Sequence, residues 1–349
     1  MASLLDQIGN LVNGAAGGGV APLSGDIGGL VTEIVGSAAS VGADIDSLIA
    51  QLLHSGAATP PPAPATSPYG TLYAFGDSLS DAGNVAILTH GALPPSPPYS
   101  DGRFSNGPIW VQDLAERLGL PAVRPSLAGG TDFAYGGAET GTTPSHTAGP
   151  TDLPAQLAQF RMEEPQPLPN ALYTVWIGTN DVLAGGNPGA DALATVSAAV
   201  GNEMQFLDGL VADGARNLLV LDVPDLGTTP LGAGQGAAQA ASLTTDSAWY
   251  DALLRLNLGS FAMANPAVHV TTVDTFALLD QVRADPTAYG FSVTGAPLLD
   301  SGLLAASGGP VSAAAGRESA GYLFFDAIHP TAQGQALIAT AAAQALGVA

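Results

Sequence analysis

Residues 71–84 of this chain, TLYAFGDSLSDAGN, are a short apolar segment that runs into a turn of small and polar residues. Segment 71–76 is typical of a buried strand, because it is brief, apolar and ends in a glycine. Similar apolar segments occur at 131–134, 172–177 (LYTVWI), 217–222 (NLLVLD) and 268–273 (VHVTTV). Helical patterns lie between these segments, at 110–118, 190–213, 244–264 and 331–346. This alternation predicts right-handed crossovers and an α/β fold, a three-layer α/β/α sandwich around a parallel sheet, in which 131–134 could be a further, shorter strand.

The residues that follow the predicted strands carry the chemistry. In an open parallel sheet, ligands bind beyond the carboxyl ends of the strands. Ser78 follows the first strand, Gly136 follows the short candidate at 131–134, and Asn180 follows 172–177. Asp326 and His329 come just before the last helical segment. A hydroxyl, a glycine that exposes its backbone, an amide donor and an Asp/His pair together are the inventory of a serine hydrolase.

Six motifs in a fixed order carry a resemblance to a known family. They are FGDSLSDAGN (75–84), GRFSNGPIWVQDLAERLGL (102–120), TDFAYGGAETG (131–141), VWIGTNDVL (175–183), DVPDLGTTP (222–230) and FFDAIHPTAQGQALI (324–338). With these motifs the chain resembles the SGNH (GDSL) hydrolase superfamily, on the branch of lecithinase-like phospholipases and plant GDSL lipase/esterases. The resemblance spans about residues 69–346 and implies a flavodoxin-like fold with a five-stranded parallel sheet.

The resemblance also implies a role for each residue. Ser78 is the expected nucleophile, His329 its base, and Asp326 the carboxylate that orients the imidazole. The expected oxyanion donors are the backbone N–H of Ser78, the backbone N–H of Gly136 and the side-chain amide of Asn180. Gly136 is chosen over the following glycine by alignment alone.

The same residues also have structural interpretations that do not require catalysis. Ser78 is a residue type that caps helices, and His329 precedes a proline, a common first helical residue. Asn180 and Gly136 are common turn residues, and both are expected to serve the turn and the oxyanion together. Asp77 and Asp181 are expected to hold the surrounding loops by hydrogen bonds.

Composition excludes several classes of partner. The 349 residues include 30 acidic and 8 basic side chains, a formal net charge of −22, and no cysteine. This charge repels phosphate backbones and anionic lipids, so we expect no nucleic-acid partner. Without cysteine there is no disulfide and no thiolate ligand. Histidines and carboxylates lack metal-ligand spacing, so we expect no metal and no cofactor, and no apolar run reaches the length of a membrane span.

The N-terminal region differs from the rest of the chain. Apolar residues at helical spacing with glycine-rich breaks predict a helical extension over 1–57, and 58–68 is a proline-rich linker before a catalytic domain at 69–349. The extension has three possible roles: an appendage packed on the catalytic domain, an element for oligomerisation or for docking on an apolar surface, or an export-related segment. Segments 93–106 and 302–316 are candidates for a wall or lid of the site.

The predicted activity is that of a serine esterase or lipase, which hydrolyses carboxylic esters of small molecules or lipids. The alternatives are a carbohydrate acetyl-esterase or a thioesterase on the same triad, or a non-catalytic binding protein with this fold. No arginine or lysine precedes Arg103, so a conventional signal peptide is not expected. The acidic, cysteine-free composition favours an extracellular or cell-surface location by another export route, with the cytoplasm as the alternative. The oligomeric state stays open.

Overall fold

The computed structural model describes residues 67–164, 168, 170–187, 190–299 and 321–348. The predicted extension (1–57), all of the linker except its last two residues, and the possible lid at 302–316 lie outside the described residues. The main sheet consists of β1 (Leu72–Gly76), β2 (Leu172–Trp176), β3 (Asn217–Leu221) and β4 (His269–Val273). These strands pair in that order and all of them are parallel. The sequence predicted their bounds to within one residue.

Helices fill the connections between the strands. The described helices are α1 (Asn84–Leu88), α2 (Trp110–Arg117), α3 (Leu153–Glu163), α4 (Thr179–Gly185), α5 (Ala192–Ala212), α6 (Pro230–Gly234), α7 (Ala237–Ala264), α8 (Thr275–Ala284) and α9 (Ala332–Ala345). A second, small parallel sheet pairs β5 (Val293–Pro297) with β6 (Tyr322–Phe324). Within the described residues, no helix has both the length and the apolarity that crossing a bilayer requires.

The predicted fifth strand at 131–134 is not a strand, so the main sheet has four strands rather than five. Asp132 forms isolated parallel bridges with Ala74 in β1 and with Pro125. Its side chain accepts hydrogen bonds from the N–H groups of Ala134 (3.0 Å) and Ala82 (2.6 Å). The ladder to β1 is interrupted because the N–H of Gly76 donates to Oε1 of Gln156, at 3.0 Å, and not to the carbonyl of Phe133.

Segment 131–134 still lies beside β1, on the edge opposite β2, because Ala74 hydrogen bonds to Thr131 and Phe133. The chain therefore goes from β1 to one side and then crosses to β2 on the other side. A change of direction of this kind opens a crevice at the carboxyl end of the strand where it occurs. That strand is β1, and Ser78 follows it directly.

Both faces of the sheet are covered, as the predicted three-layer sandwich requires. On one face, Phe75 packs against Phe160 of α3 and Phe206 of α5, with ring centroids 5.4 and 5.1 Å apart. On the other face, Trp176 packs edge-on against Trp110 of α2, at 5.7 Å. Strands buried on both faces read as continuous apolar runs, which is why the sequence revealed them. The α/β/α architecture is confirmed.

Candidate active site

Ser78 sits on a tight turn that the end of β1 forces on the chain. Gly76 has a φ of +145°, and a Cβ there would overlap the carbonyl oxygen of Trp176, so only glycine fits. Asp77 is fully buried, and its carboxylate accepts the N–H of Leu79 at 2.9 Å, which closes the turn around Ser78. Ser78 itself is only partly buried and faces the cleft.

Ser78, His329 and Asp326 form one line of hydrogen bonds. The distance from Nε2 of His329 to Oγ of Ser78 is 2.8 Å, and that from Nδ1 to Oδ2 of Asp326 is 2.7 Å. Both His329 and Asp326 are buried, at 5% and 1% exposure. Because an ionised carboxylate only accepts hydrogen bonds, Nδ1 carries the proton and Nε2 is left as an acceptor for the serine hydroxyl.

The loop between β6 and α9 places Asp326 and His329 at this spacing. Oδ1 of Asp326 accepts the N–H groups of Ile328 (2.9 Å) and His329 (2.8 Å), so the carboxylate organises the loop that carries its own partner. Burial raises the pKa of Asp326, but the facing imidazole and the donors around the carboxylate outweigh burial and bring the pKa below its usual value. Asp326 is therefore ionised at neutral pH.

The backbone N–H groups expected to be oxyanion donors differ in their hydrogen bonding. The N–H of Gly136 donates to Oδ2 of Asp81 at 2.9 Å, so it is not available to a substrate. The next residue, Gly137, lines the cleft with φ +81°, and its N–H has no hydrogen-bond partner among the described residues. The same holds for the N–H of Ser78. The geometry therefore moves the second donor from Gly136 to Gly137.

Asn180 lies at the start of α4, where Gly178 with φ +104° turns the chain from β2 into the helix. Its Nδ2 donates one hydrogen bond to the carbonyl of Ala138, at 2.8 Å. This bond fixes the plane of the amide and leaves the second hydrogen of Nδ2 for another acceptor. Asn180 lines the same cleft as Ser78.

Buried carboxylates that sequence reasoning did not assign hold the loops around the site. Asp81 accepts four backbone N–H groups, those of Gly83, Asn84, Val85 and Gly136. Burial raises its pKa to about 6 in spite of these bonds. In the sequence, the signal for Asp81 was its position in the DAGN stretch (81–84), three residues after Ser78.

The two aspartates expected to be structural also bind backbone. Asp181 accepts both the N–H (3.0 Å) and the hydroxyl (2.7 Å) of Thr140, and burial raises its pKa to about 7. Burial likewise raises the pKa of Asp77 to about 7, although the N–H of Leu79 and the charge of His329 oppose the rise. Among the described residues, no group of three or more His, Asp or Glu side chains is placed to hold a metal ion.

The cleft in front of Ser78 has a volume of about 180 Å³. Its apolar walls come from Leu79, Val85, Leu93, Phe104 and Ile328. Two of these residues, Leu93 and Phe104, belong to segment 93–106, so the structure places part of that segment in the wall. The ring of Phe104 also lies 5.2 Å from the ring of His329 and supports one side of the imidazole.

Comparisons with known proteins identify similar chains. A protein-family model described as GDSL-like Lipase/Acylhydrolase matches residues 72–342, which is most of the chain. The phosphatidylcholine-sterol acyltransferase of Aeromonas hydrophila is 33% identical over 229 residues, which cover 65% of this chain and 64% of that protein. This chain thus spans just under two thirds of the length of the Aeromonas protein.

Two further relatives match more of their own length. A GDSL esterase/lipase of Arabidopsis thaliana is 27% identical over 304 residues, covering 74% of this chain and 81% of that protein. An acetylesterase of Thermothelomyces thermophilus is 32% identical over 264 residues, covering 69% of this chain and 83% of that protein.

Proposed function

The chain belongs to the GDSL-like lipase/acylhydrolase family, and on this premise we propose that it hydrolyses carboxylic esters through an acyl-enzyme on Ser78. The observation that carries the proposal is the unbroken hydrogen-bonded line from Ser78 through His329 to Asp326 at the mouth of an apolar cleft. A neutral serine hydroxyl is a poor nucleophile unless a base accepts its proton. Here the base stands at 2.8 Å.

In the first half-reaction, Oγ of Ser78 attacks the ester carbonyl carbon while Nε2 of His329 accepts the hydroxyl proton. The carbonyl π bond opens and its electron pair goes to the oxygen. Asp326 stabilises the resulting imidazolium through Nδ1. The tetrahedral intermediate then expels the alkoxide, which takes the proton from Nε2 and leaves as the alcohol.

Three donors are proposed for the negative oxygen of the intermediate: the N–H groups of Ser78 and Gly137, and Nδ2 of Asn180. Two are backbone groups on rigid turns, and the third is fixed by its bond to the carbonyl of Ala138. Donors that are already aimed need no reorganisation when the charge develops, which is where their catalytic value comes from.

In the second half-reaction, water replaces the alcohol. His329 takes a proton from the water, the hydroxide attacks the acyl carbon, and the C–O bond to Ser78 breaks. The proton returns to Oγ of Ser78 and the carboxylic acid leaves. The enzyme is restored without any external reactant besides water.

The size of the cleft bears on the substrate. A cleft of about 180 Å³ is smaller than the roughly 300–1,000 Å³ of typical small-molecule sites, which favours a short acyl group over a long one. The apolar walls favour a hydrocarbon chain on at least one side of the ester. Carbohydrate acetyl-ester or thioester hydrolysis on the same triad is the second candidate, and the resemblance to an acetylesterase favours the acetyl version.

A series of p-nitrophenyl esters from acetate to palmitate tests the proposal. We expect kcat/KM to be highest for short chains, and we expect Ser78→Ala to abolish turnover. Ser80→Ala is the matched control, because Ser80 lies on the same turn but its hydroxyl accepts the indole N–H of Trp110. Equal turnover by wild type and Ser78→Ala would contradict the proposal, and no hydrolysis by the wild type would favour a binding protein.

We also propose that residues 1–57 dock the enzyme on an apolar surface. Their apolar residues at helical spacing, with hardly any charge, support this idea. Deletion of residues 1–57 is expected to lower activity on emulsified esters and to spare activity on dissolved ones. An equal, unchanged activity on both would rule the docking out.

A location outside the cell or on its surface is the accompanying proposal. The acidic, cysteine-free composition supports it. Fractionation of the source cells tests it, and native protein found only in the cytosolic fraction would contradict it.

A further inference from the structure

Tyr99 reaches the catalytic carboxylate from the loop between α1 and α2. Its hydroxyl donates a hydrogen bond of 2.6 Å to Oδ2 of Asp326, although the two residues are 227 positions apart in the chain. Oδ2 is the same oxygen that faces Nδ1 of His329, at 2.7 Å. Tyr99 is 2% exposed, so this bond is sheltered from water.

The side chain of Tyr99 is held in this place by packing and by its own backbone. Its ring meets the ring of Phe325 edge-on at 5.0 Å and that of Phe104 at 6.3 Å. Its N–H donates to the carbonyl of Pro95, at 3.1 Å, and its carbonyl accepts the hydroxyl of Ser96. A phenol fixed in this way costs little further ordering when it donates to Asp326.

The hydroxyl completes an unusually full set of donors. Oδ1 of Asp326 accepts two backbone N–H groups, and Oδ2 accepts Nδ1 of His329 and the hydroxyl of Tyr99. Each donor draws negative charge from the carboxylate. The hydroxyl also competes with His329 for the same oxygen, so it reduces the charge that Asp326 presents to an imidazolium.

We propose that Tyr99 is a positioning residue of the active site, whose hydroxyl fixes Oδ2 of Asp326 and sets the pH range in which His329 acts as a base. The proposal rests on the ester hydrolysis proposed above. Without the hydroxyl, Oδ2 faces the imidazolium with its full charge and holds it more tightly. The base is then freed only at a higher pH, and the carboxylate has more freedom to turn away from Nδ1.

Other titratable groups face His329 as well. In the part of the chain that the structure describes, these are Asp326 on its own loop and Asp77 on the turn after β1, while Tyr99 on the α1–α2 loop faces Asp326. Replacing Tyr99 by phenylalanine leaves both carboxylates in place. A change in the pH profile is therefore assigned to the hydroxyl.

The test compares Tyr99→Phe with the wild type over the full pH profile of kcat/KM for p-nitrophenyl acetate. We expect the acid-side midpoint to rise by about half a unit to one unit, and kcat at neutral pH to fall about three- to tenfold. Tyr322→Phe is the matched control, since Tyr322 packs against the apolar cluster that contains Tyr99 and Phe325. We expect it to leave the midpoint unchanged.

The outcomes separate this proposal from the hydrolase proposal. An acid-side midpoint that stays at the wild-type value in Tyr99→Phe overturns the role of Tyr99 and leaves ester hydrolysis standing. A wild type without turnover overturns both. If Tyr99→Phe does not fold, 3,5-difluorotyrosine at position 99 replaces it, and this stronger donor is expected to move the midpoint downward; no movement overturns the proposal.

Discussion

Among the described residues, two histidines lie within hydrogen-bond distance of an aspartate: His329 in the cleft and His146 beside the N-terminus of α3. His329 is 2.7 Å from Asp326 through Nδ1, and His146 is 2.8 Å from Asp152 through Nε2. The second nitrogen distinguishes them. That of His329 faces the hydroxyl of Ser78, whereas that of His146 lies 3.3 Å from the carboxylate of Glu139.

The difference decides what each histidine can do. With a carboxylate on both nitrogens, His146 is stabilised as a doubly protonated cation that has no lone pair to accept a proton. His329 keeps one nitrogen as an acceptor next to a hydroxyl. An Asp/His contact orients the imidazole, but the group at the other ring nitrogen determines whether the histidine can accept a proton.

The carboxylates beside the two histidines, Asp326 and Glu139, differ in the direction of their pKa shifts. The pKa of Asp326 lies below its usual value, since the imidazole and the other donors outweigh burial. At the second site, burial and the charge of Asp152 raise the pKa of Glu139 although His146 opposes the rise. Asp326 is surrounded by donors, whereas Glu139 shares its cation with another carboxylate.

The largest expected contrast comes from replacing the two histidines. His329→Gln is expected to lower kcat/KM about 10⁴-fold or more, because the serine loses its base. His146→Gln removes a cation that never accepts the serine proton, so kcat/KM should stay within about threefold of wild type. Ester hydrolysis at neutral pH measures both. Similar losses of kcat/KM in the two variants would contradict a role for His329 alone as the base.

The two aspartates give the next contrast. Asp326→Asn is expected to cut kcat about 10³- to 10⁴-fold, because an amide stabilises the imidazolium poorly and favours the wrong tautomer. Asp152→Asn should lower kcat at most about tenfold and should lower Tm, since Asp152 accepts the N–H groups of Glu139 and Gly149. Steady-state kinetics and thermal melts on both variants check this. A large loss of kcat in Asp152→Asn would show that the His146/Asp152 pair contributes to the reaction at Ser78.

A third contrast concerns two asparagines that bind one loop. Asn180→Ala is expected to lower kcat about 10²- to 10³-fold with little change in KM, as the loss of an oxyanion donor does. Asn202→Ala is the control, because Asn202 donates to the carbonyl of Thr142 in the same loop but does not line the cleft. If both variants lose kcat equally, Asn180 acts on the loop and not on the oxyanion.

The smallest expected effect is on stability. Burial lowers the pKa of His146, but the hydrogen bond to Asp152 and the charges of Glu139, Asp152 and Asp181 raise it to a net value above that of a free histidine. The stabilisation is therefore full below about pH 6.5, the value for an unfolded histidine, and is lost as the pH rises through the folded-state pKa.

For a partly exposed ion pair we expect His146→Gln to melt about 1–2 °C below wild type at pH 6, with a gap that closes at alkaline pH. Melts across this range measure it. His269→Gln, at an exposed residue at the start of β4, is the control. A gap that stays constant over the pH range would show that protonation of His146 does not contribute.

Much of the site was predictable because parallel strands bring their carboxyl ends to one edge. Ser78, Asn180 and the Asp326/His329 pair follow different elements of the chain, yet all lie at that edge. The apolar strands and the long helices were visible for the same kind of reason, since periodicity reports which faces are buried. The predicted helix at 331–346 is α9, Ala332–Ala345.

What the sequence did not reveal depends on side chains that meet across long separations. The N–H of Gly136, expected to be an oxyanion donor, is taken by Asp81, 55 residues away, so we propose Gly137 in its place. The strand expected at 131–134 lacks a ladder bond to β1, because the side chain of Gln156, 80 residues away, takes the N–H of Gly76. The bond from Tyr99 to Asp326 and the pairing of β5 with β6 have no local signal, since neither spacing nor periodicity reports such contacts.

The central claim is that Ser78 is the nucleophile and that His329 activates it. The most direct measurement is peptide mapping of the native protein after reaction with a fluorophosphonate, with heat-denatured protein and Ser80→Ala as controls. We expect one stoichiometric label, on Ser78, in native protein and in Ser80→Ala, and none after denaturation or in His329→Gln. A label on another residue, or an unlabelled Ser78 in folded wild type, would contradict it.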